Sequence, residues 1–476
     1  MTNLTLYSEA QRRWWRSKRP ALVVLSLLMS LVLVMAGALA WKADTIRTGV
    51  EGYLFAYPLV MLDLTREASA LAVGPENQLR RVRQFPDANF RGVVRPNVDT
   101  LYTTAFIDMA AGPLLFEMPP NDQRYELMAF MDAWTNVFAS PGTRTSGPGG
   151  GRFLLAGPRW VGTVPEGLTL LRSPTRIVWL IGRTQTNGAT DFARVHKLQD
   201  GITLRPLSGA AIATGAAAVG TAAVAPTAWK PQRAPPPIEQ MQALSTEAFF
   251  VRLARLMEDN PPAPADAPML ARLARFGVAP GQPLQWGLLD RWAVSLGRRV
   301  ADFSIARALK NPRELVRGWS TPPANVGAFG TDYNTRAGVA MVGLGANLPA
   351  DATYPNTRLD AQGQPLNGSH RYRLHFKAGE LPPVKAFWSV TAYGADDFLI
   401  ANPINRYALG DRDPLVRHAD GSLDLLVQAT PPEGAMQANW LPVKAGEPFL
   451  LNARLYWPQA EALNGTWGLP AIERID

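Results

Sequence analysis

The most apolar run of the chain extends from Ala21 to Trp41 and contains no charged residue. A helix rises 1.5 Å per residue, so this run would span about 30 Å, the thickness of the hydrocarbon core of a bilayer. The run therefore predicts a transmembrane helix. The next segment, residues 45–71, has helical periodicity that Pro58 interrupts, which predicts two helical pieces with a kink between them.

A different pattern follows, in which short segments rich in apolar and aromatic residues are bounded by turn formers. Such segments predict the strands of an antiparallel sandwich. The expected strands are residues 100–109, 113–118, 124–131, 152–156 and 176–182. A short helix over residues 191–200 is expected to close this region.

The middle of the chain changes character twice. Residues 208–238 are rich in Ala, Gly, Thr and Pro, and they favour a flexible linker because they lack the Leu and Phe residues of a membrane span. Helices are then predicted over residues 245–260, 267–278 and 289–310. The last helix carries apolar residues at steps of 3, 4, 4 and 3, namely Leu289, Trp292, Leu296, Val300 and Phe303. We expect this stripe to be buried by packing.

Beyond residue 321 the strand pattern returns. The expected strands are residues 337–345, 370–378, 384–394, 397–403, 423–428 and 447–458. The chain is therefore interpreted as mainly β with inserted helices. Its predicted parts are a basic tail and apolar helix (1–43), a first β domain with leading helices (44–207), a linker (208–238), a helical segment (239–320) and a second β domain (321–476).

The charge is concentrated at the N-terminus. Of a net charge of +9, residues 1–20 carry +4 and the other 456 residues only +5. Basic residues before a membrane span stay in the cytoplasm, so we expect an inner-membrane anchor over residues 21–41 with a periplasmic body. The alternative is a signal peptide cleaved after Ala40, since Ala38-Leu39-Ala40 resembles a signal-peptidase site. The body shows no basic stripe, so nucleic acid is not expected as a partner.

Missing motifs narrow the chemistry further. The chain has no cysteine, which excludes disulfides, thiolate catalysis and cysteine-ligated metals. It contains neither a Walker motif nor a strand-borne GxGxxG, so no nucleotide cofactor is expected. The four histidines show no HxH, HxxxH or HExxH spacing, and no metal site is predicted. The sequence leaves the oligomeric state open.

Several segments resemble a bacterial family known as paired domains of unknown function, catalogued as twelve-fifty-four at the N-terminal side and twelve-fourteen at the C-terminal side. The first resemblance is carried by "VVRPNVDTLYTTAFIDMAAGP", "MDAWTNVFASPGTRT" and "RIVWLIGRT". The second is carried by "YRLHFKAGELPPVKAFWSVTAYG", "NPINRYALGD" and "ARLYWP". The resemblance implies an immunoglobulin-like sandwich followed by a jelly-roll-like one. It implies no catalytic residues.

The segment "RPNVDTLYTT" supplies the first candidate site. Asp99 and Tyr102 are candidate catalytic residues at the end of a sheet, with Asn97 as a candidate ligand contact. The alternative is structural: an Asn or Asp side chain bonds the backbone two residues on and starts a turn.

A second candidate set follows in "MDAWTNVFASPGTRT". Asp132 is a candidate catalytic carboxylate, and Trp134 and Arg144 are candidate contacts for an apolar ring face and an anion. Asp99 and Asp132 together would form a glycosidase pair. The alternative for these residues is a buried polar network that ties strands together.

The second β domain contributes two candidate ligand-binding residues, Arg336 and Arg406. For Arg406 the alternative is a structural partner, either a carboxylate or a set of carbonyl groups. Three functions stay open: binding of a small anionic or carbohydrate-like ligand, a carboxylate-dependent hydrolase or lyase, and an envelope assembly partner. An enzyme requires a carboxylate of perturbed pKa in a pocket, whereas an assembly partner requires an exposed apolar patch.

Overall fold

The computed structural model describes residues 9–207, 232–310 and 315–476. Most of the expected linker, residues 208–231, lies outside the described residues. The helices are α1 (Glu9–Trp41), α2 (Ala43–Val73), α3 (Phe192–Gly201), α4 (Pro237–Ala243), α5 (Thr246–Asp259), α6 (Ala267–Arg275), α7 (Leu288–Lys310), α8 (Tyr333–Val342) and α9 (Ala460–Leu463).

The strands fall into two groups along the chain. The first group is β1 (Arg80–Arg81), β2 (Thr100–Asp108), β3 (Leu114–Met118), β4 (Glu126–Asp132), β5 (Val137–Ala139), β6 (Gly151–Ala156), β7 (Thr169–Arg172), β8 (Ile177–Gln185) and β9 (Thr203–Pro206). The second group is β10 (Leu315–Val316), β11 (Trp319–Ser320), β12 (Ala352–Thr353), β13 (Asn356–Thr357), β14 (Tyr372–Phe376), β15 (Val384–Gly394), β16 (Ala408–Gly410), β17 (Leu423–Gln428), β18 (Trp440–Pro442), β19 (Phe449–Pro458) and β20 (Ile472–Arg474).

Helix α1 contains an apolar span over Val23–Trp41 with a mean hydropathy of 2.6, and none of this span is buried by the other residues that the structure describes. Its length and composition suit either a signal anchor or a signal peptide. Backbone hydrogen bonds from Lys42 to Ala38 (2.9 Å) and from Ile46 to Lys42 (2.8 Å) carry α1 into α2 with little interruption. Helix α2 is a single helix that contains Pro58. The expected division into two pieces is therefore wrong.

The first β domain is built from two sheets. Sheet A has the strand order β1-β2-β8-β4-β5, and sheet B has the order β7-β6-β3-β9. Because side chains alternate along each strand, one face of sheet A packs on sheet B. Residues such as Phe130 and Leu180 from sheet A meet Phe116 and Leu155 from sheet B in this core.

The second β domain repeats this plan. Sheet C joins β10-β11-β13-β19-β15-β16, with β12 also paired to β19, and sheet D has the order β18-β17-β14-β20. The core between them contains Trp388 and Leu455 from sheet C and Leu374 and Leu425 from sheet D. The expected architecture, two β domains with helices between them after an N-terminal apolar helix, is confirmed.

The other faces of sheets A and C are also buried, and this arrangement creates the candidate site. Helices α2, α5 and α8 cover part of the outer face of sheet A, through residues such as Phe55 and Trp134. Aromatic contacts then join the two β domains: Tyr125 lies 5.9 Å from Phe387 and 5.4 Å from Tyr456, between ring centroids.

Three sequence predictions fail in the second half of the chain. Residues 337–345, expected as a strand, belong mostly to helix α8, because Asp332 caps it by accepting from the Thr335 amide at 3.1 Å and its small residues Ala337 and Ala340 are buried. Residues 397–403 form an irregular loop that starts at Asp397 in the left-handed region (φ 64°). A run of Ala, Val and Gly residues, or of Phe, Leu and Ile residues, does not by itself distinguish a strand from a helix or an irregular loop.

The third failure concerns helix α7, whose apolar stripe is exposed rather than buried. The helix instead packs its small residues Ala293, Gly297 and Ala301 inwards. A Cβ atom on Gly297 would lie 2.5 Å from the Ile46 carbonyl oxygen, so glycine is needed for this close approach to α2. The apolar periodicity was correct, but the buried face is set by backbone proximity.

Candidate functional site

Polar side chains fill the space where the outer faces of sheets A and C meet. We call this set the interdomain layer and define it as Asn97, Asp99, Tyr102, Arg183, Tyr354, Ser389, Arg412, Arg454 and Tyr456. Tyr102 on β2 lies directly opposite Arg183 on β8, and Ser389 on β15 is paired with Arg454 on β19. A polar layer between two β domains is unusual because each buried polar group needs a partner.

Asp99 is the centre of one end of this layer. It is 1% exposed, and it accepts hydrogen bonds from Ser389 Oγ at 2.7 Å and Tyr456 hydroxyl at 3.2 Å. The guanidinium of Arg412 forms an ion pair with the other carboxylate oxygen. Arg412 also stacks 4.0 Å from the centre of the Phe387 ring. The charge of Asp99 is therefore fully compensated, although the Nε of Arg412 itself has no partner among the described residues.

The turn before Asp99 forms as the structural alternative expected. Asn97 Oδ1 accepts from the amides of Asp99 (2.6 Å) and Thr100 (3.1 Å). Its Nδ2 donates to the Tyr456 hydroxyl at 3.0 Å and approaches the Tyr102 hydroxyl at 3.5 Å. Asn97 thus starts the strand and also connects the two β domains. The candidates Asn97, Asp99 and Tyr102 lie together.

Arg183 is the centre of the other end and has a different environment. Its side chain is 6% exposed, and Nη2 donates to the Gly345 carbonyl at 3.3 Å. Its Nε and Nη1 atoms are buried and have no hydrogen-bond partner among the described residues. The guanidinium lies 5.3 Å from the centre of the Tyr102 ring. An arginine keeps its charge at any physiological pH, so this is a buried cation with unused donors.

Arg454 shows that a buried arginine in this layer can be satisfied without a carboxylate. It donates to Thr391 Oγ1 and the Tyr393 hydroxyl, each at 2.6 Å, and to the Arg95 carbonyl at 3.1 Å. These oxygen acceptors occupy both terminal nitrogens. The contrast with Arg183 is in the number of acceptors within reach.

Tyr354 and Tyr456 of the layer, and Tyr125 beside it, do not neutralise Arg183. Burial raises the pKa of Tyr354 to about 12, and it raises the pKa of Tyr125 and Tyr456 well above the ordinary value. All three hydroxyls therefore stay protonated near neutral pH, and they act as hydrogen-bond donors rather than as anions.

A cleft of about 460 Å³ opens beside the layer, between the two β domains. Its wall includes Tyr125 and Gln185 from the first domain and Lys385 and Trp457 from the second. Gln185 and Arg183 are two residues apart on β8, so they share one face of the strand. Arg183 thus lies one pleat further inside than the wall of the cleft.

Asp132, Trp134 and Arg336 form a separate cluster at the opposite end of sheet A. Asp132 accepts from the amides of Trp134 (2.9 Å) and Asn136 (2.8 Å), and burial raises its pKa to about 6. Arg336 is 1% exposed and lies 5.5 Å from the Trp134 ring centre. Burial lowers the pKa of Arg336, and Asp132 and Asp266 are the nearby charges that oppose this effect.

Asp99 and Asp132 do not form a pair. The carbonyl of Asp99 accepts from the Thr186 amide at 3.1 Å, whereas Asp132 is paired with Val178. Eight residues of an extended strand separate these two points, a distance of about 27 Å. A glycosidase pair requires carboxylates within about 10 Å, so this interpretation is excluded.

The remaining two candidates have structural partners. Arg144 donates through Nε to Asp351 at 2.6 Å and through Nη2 to Ser140 at 3.1 Å. Arg406 donates to the carbonyls of Gln437 (2.8 Å) and Trp440 (3.0 Å) within the second β domain. No finding assigns a ligand or a reaction to any candidate, and their functional roles stay predictions.

Sequence reasoning missed Arg183, Arg412, Arg454 and Tyr354. Two of them carried a readable signal: Arg183 in "IVWLIGRTQ" and Arg454 in "LLNARLYW" are single charges inside otherwise apolar strands. Such a charge needs either solvent or a buried partner. Within the described residues, no group of three or more His, Asp or Glu side chains is arranged to hold a metal ion.

Comparisons with known proteins agree with this architecture. The model of "Protein of unknown function (DUF1254)" matches residues 76–206, and that of "Protein of unknown function (DUF1214)" matches residues 351–460. The chain belongs to the family that pairs these two domains. Each match falls within one of the two β domains, so the interdomain layer lies where the paired family domains meet.

Two solved structures are similar to the chain. The crystal structure of the VPA0106 protein from Vibrio parahaemolyticus has 24% identity and a TM-score of 0.69, and the match covers 91% of this chain and all of that one. It supports the fold alone. An uncharacterised protein from Burkholderia cenocepacia matches at 13% identity and a TM-score of 0.45, over 93% of this chain and 98% of its own. The comparison with curated proteins found no match.

Proposed function

We propose that this protein binds a small anionic ligand, a carboxylate or a phosphate, in the interdomain layer behind the cleft between its two β domains, with Arg183 as the principal contact. The observation that carries the proposal is the pair of buried nitrogens on that guanidinium, Nε and Nη1, that have no partner in the part of the chain that the structure describes. Burial of a charge without a counter-ion is strongly unfavourable, so we infer that this charge is kept for a function.

An anion would supply what Arg183 lacks. Oxygens of a carboxylate or phosphate are the strongest acceptors for a guanidinium and also balance its charge. The hydroxyl of Tyr102 is suited to donate to a further ligand oxygen. Of the two ligand classes expected from the sequence, the unpaired charge favours the anionic one over a neutral carbohydrate.

We further propose that residues 21–41 anchor the protein in the inner membrane, with both β domains on the periplasmic side. The support is the uncharged span over Val23–Trp41 and the basic residues that precede it. After carbonate extraction, the intact chain should stay with the membranes. A mature chain that begins at Trp41 would contradict a retained anchor and support a cleaved signal.

The alternative of a carboxylate-dependent hydrolase or lyase has weaker support. Asp99 is held by three donors, and Asp132 accepts from the backbone of its own turn. A general acid or base needs a free path to its substrate. An enzymatic role is therefore not part of the proposal.

The binding proposal is tested by calorimetric titration of the detergent-solubilised full chain with sodium malonate and with inorganic phosphate, against sodium chloride at equal ionic strength. We expect saturable binding of at least one of the two anions, and no binding by Arg183→Met. At a ligand concentration of 100 times Kd, the wild type should gain about 2.7 kcal/mol in unfolding free energy.

The matched control is Arg152→Met, which removes an arginine that pairs with Glu117 on sheet B at 3.0 Å. This variant should bind like the wild type. Binding by Arg183→Met with unchanged Kd would overturn the assignment, and the absence of binding to both anions by the folded wild type would count against the ligand class.

A further inference from the structure

Helix α7 presents a continuous apolar stripe to solvent. Leu289 is 48% exposed, Trp292 40%, Val300 44% and Phe303 67%, and Leu296 is half-buried between them. Single exposed apolar residues are common on protein surfaces, but an aligned series over four helical turns marks an interaction surface. We call this series the α7 stripe.

The direction of α7 limits what covers the stripe. Lys42, directly after the membrane span, bonds Asp290 in the first turn of α7 at 2.7 Å. Further along, Gly49 of α2 packs on Val294, and Arg298 lies 5.3 Å from the Tyr53 ring. The residue numbers of these contacts increase in the same direction along both helices. Helix α7 therefore runs parallel to α2 and away from the membrane end of the chain.

With residues 21–41 held in the membrane as proposed above, lipid meets only the beginning of the stripe. From Leu289 to Phe303 there are 14 residues, or about 21 Å of helix. Trp41 ends the span, so Leu289 and Trp292 lie near the level of the lipid headgroups. Phe303, the most exposed residue of the stripe, lies well above them.

We propose that the α7 stripe packs against the α7 stripe of a second copy of this chain. Its steps of 3, 4, 4 and 3 residues follow an 11-residue repeat, since Leu289 and Val300, and Trp292 and Phe303, are each 11 residues apart. This repeat of 3.67 residues per turn forms the seam between parallel helices in a right-handed supercoil. Two copies anchored in one membrane share their orientation, so their α7 helices already run parallel. Arg307, four residues beyond Phe303, ends the stripe with a charge.

Confinement to the membrane also helps a short seam. Five side chains per copy bury less than the roughly 1,200–2,000 Å² typical of a stable soluble complex. Anchoring raises the effective concentration of the partner and compensates for a small contact area. The parallel arrangement thus rests on the proposed anchor, whereas the apolar stripe does not.

The absence of cysteine from the chain permits a clean test. Val300→Cys places one thiol in the stripe, and Val251→Cys is the matched control, since Val251 is 49% exposed on the separate helix α5. Both full-length variants are oxidised in native membranes with copper phenanthroline. We expect a disulfide-linked dimer from Val300→Cys at a yield at least tenfold above that from Val251→Cys.

A second variant excludes random collision. Adding Trp292→Glu and Phe303→Glu to Val300→Cys should reduce the dimer yield to that of Val251→Cys, while thermal unfolding by circular dichroism checks that the body still folds. Equal yields from the two single-cysteine variants would overturn the proposal. So would a nitroxide at position 300 that is more accessible to oxygen than to a nickel chelate, because that result means lipid covers the stripe. The membrane fraction of the unoxidised protein reports on the anchor separately.

Discussion

Arg412 and Arg183 lie in the same interdomain layer, yet their buried guanidinium groups have different partners. Arg412 pairs with Asp99, stacks on Phe387 and donates to the Thr186 carbonyl at 2.7 Å. Arg183 donates one long hydrogen bond to a carbonyl, and its Nε and Nη1 have no partner within residues 9–207, 232–310 and 315–476. Arg412 joins the two domains, whereas Arg183 is interpreted as the binding site of an external anion. Burial alone does not distinguish these two arginines; the number of their satisfied donors does.

The largest effect is expected from Arg412→Met. This change leaves the carboxylate of Asp99 buried without its counter-ion, and removal of one partner of a buried pair costs about 3–5 kcal/mol. Urea denaturation of the solubilised chain measures the loss.

The double variant Arg412→Met with Asp99→Asn provides the control, because it removes both charges and should recover a large part of that loss. Ser389 and Tyr456 can still bond the amide oxygen. If the double variant were no more stable than the single one, the ion pair would not be the source of the effect.

Arg183→Met should have the opposite sign. Replacement of an uncompensated buried charge by an apolar side chain of similar length is neutral or stabilising, by up to about 4 kcal/mol. The ligand-free variant should therefore unfold at a higher urea concentration than the wild type, and added malonate or phosphate should not stabilise it further.

A marked loss of stability in ligand-free Arg183→Met would remove the contrast with Arg412. That result would mean that Arg183 is a structural residue whose N–H donors find hydrogen-bond acceptors in solution.

The strands around this layer were largely readable from the sequence. Residues 384–394 and 423–428 were expected as strands, and they form β15 and β17 with the same bounds. Alternation of apolar and polar positions and short apolar runs bounded by turn formers are the patterns that made these strands readable. The helix α8 was missed, since Ala, Gly and Val suit either structure when small residues must pack closely.

The candidate site was predictable only in part. Asn97, Asp99 and Tyr102 lie adjacent in sequence, so one turn is enough to bring them together. Arg183 and Arg412 depend on the apposition of two sheets that are more than 200 residues apart along the chain, and no local pattern contains that information. The exposed face of α7 was missed for a related reason: close approach of α2 and α7 at glycine decides which side is buried.

Asp132 provides a third case, because a buried carboxylate can lose its charge by binding a proton. Burial raises its pKa from 3.8 to about 6, so in the folded protein it holds a proton that the unfolded chain has released between these values. Stability from this group is therefore complete below about pH 4 and is lost as the pH rises through about 6. The shift corresponds to about 3 kcal/mol.

The difference in unfolding free energy between the wild type and Asp132→Asn, measured from pH 3.5 to 7, should show this fall. Asp122 is the control of opposite sign, because the Arg124 side chain lowers its pKa to about 2. Its contribution is present above the unfolded value and is lost as the pH falls. A difference curve for Asp132→Asn that is flat with pH would contradict a protonated Asp132.

The smallest effect is expected at the rim of the cleft. Lys385 is exposed and lies 5.4 Å from the centre of the Trp457 ring, so its charge is already solvated. Lys385→Ala should weaken binding of malonate or phosphate by only about 0.2–1 kcal/mol, and the difference should shrink as salt is raised from about 0.02 M to about 0.3 M. Lys444→Ala, which removes an exposed lysine paired with Glu447, controls for the loss of one positive charge. If Lys385→Ala abolished binding as completely as Arg183→Met, the anion would sit at the rim of the cleft, and the buried guanidinium would lose its special role.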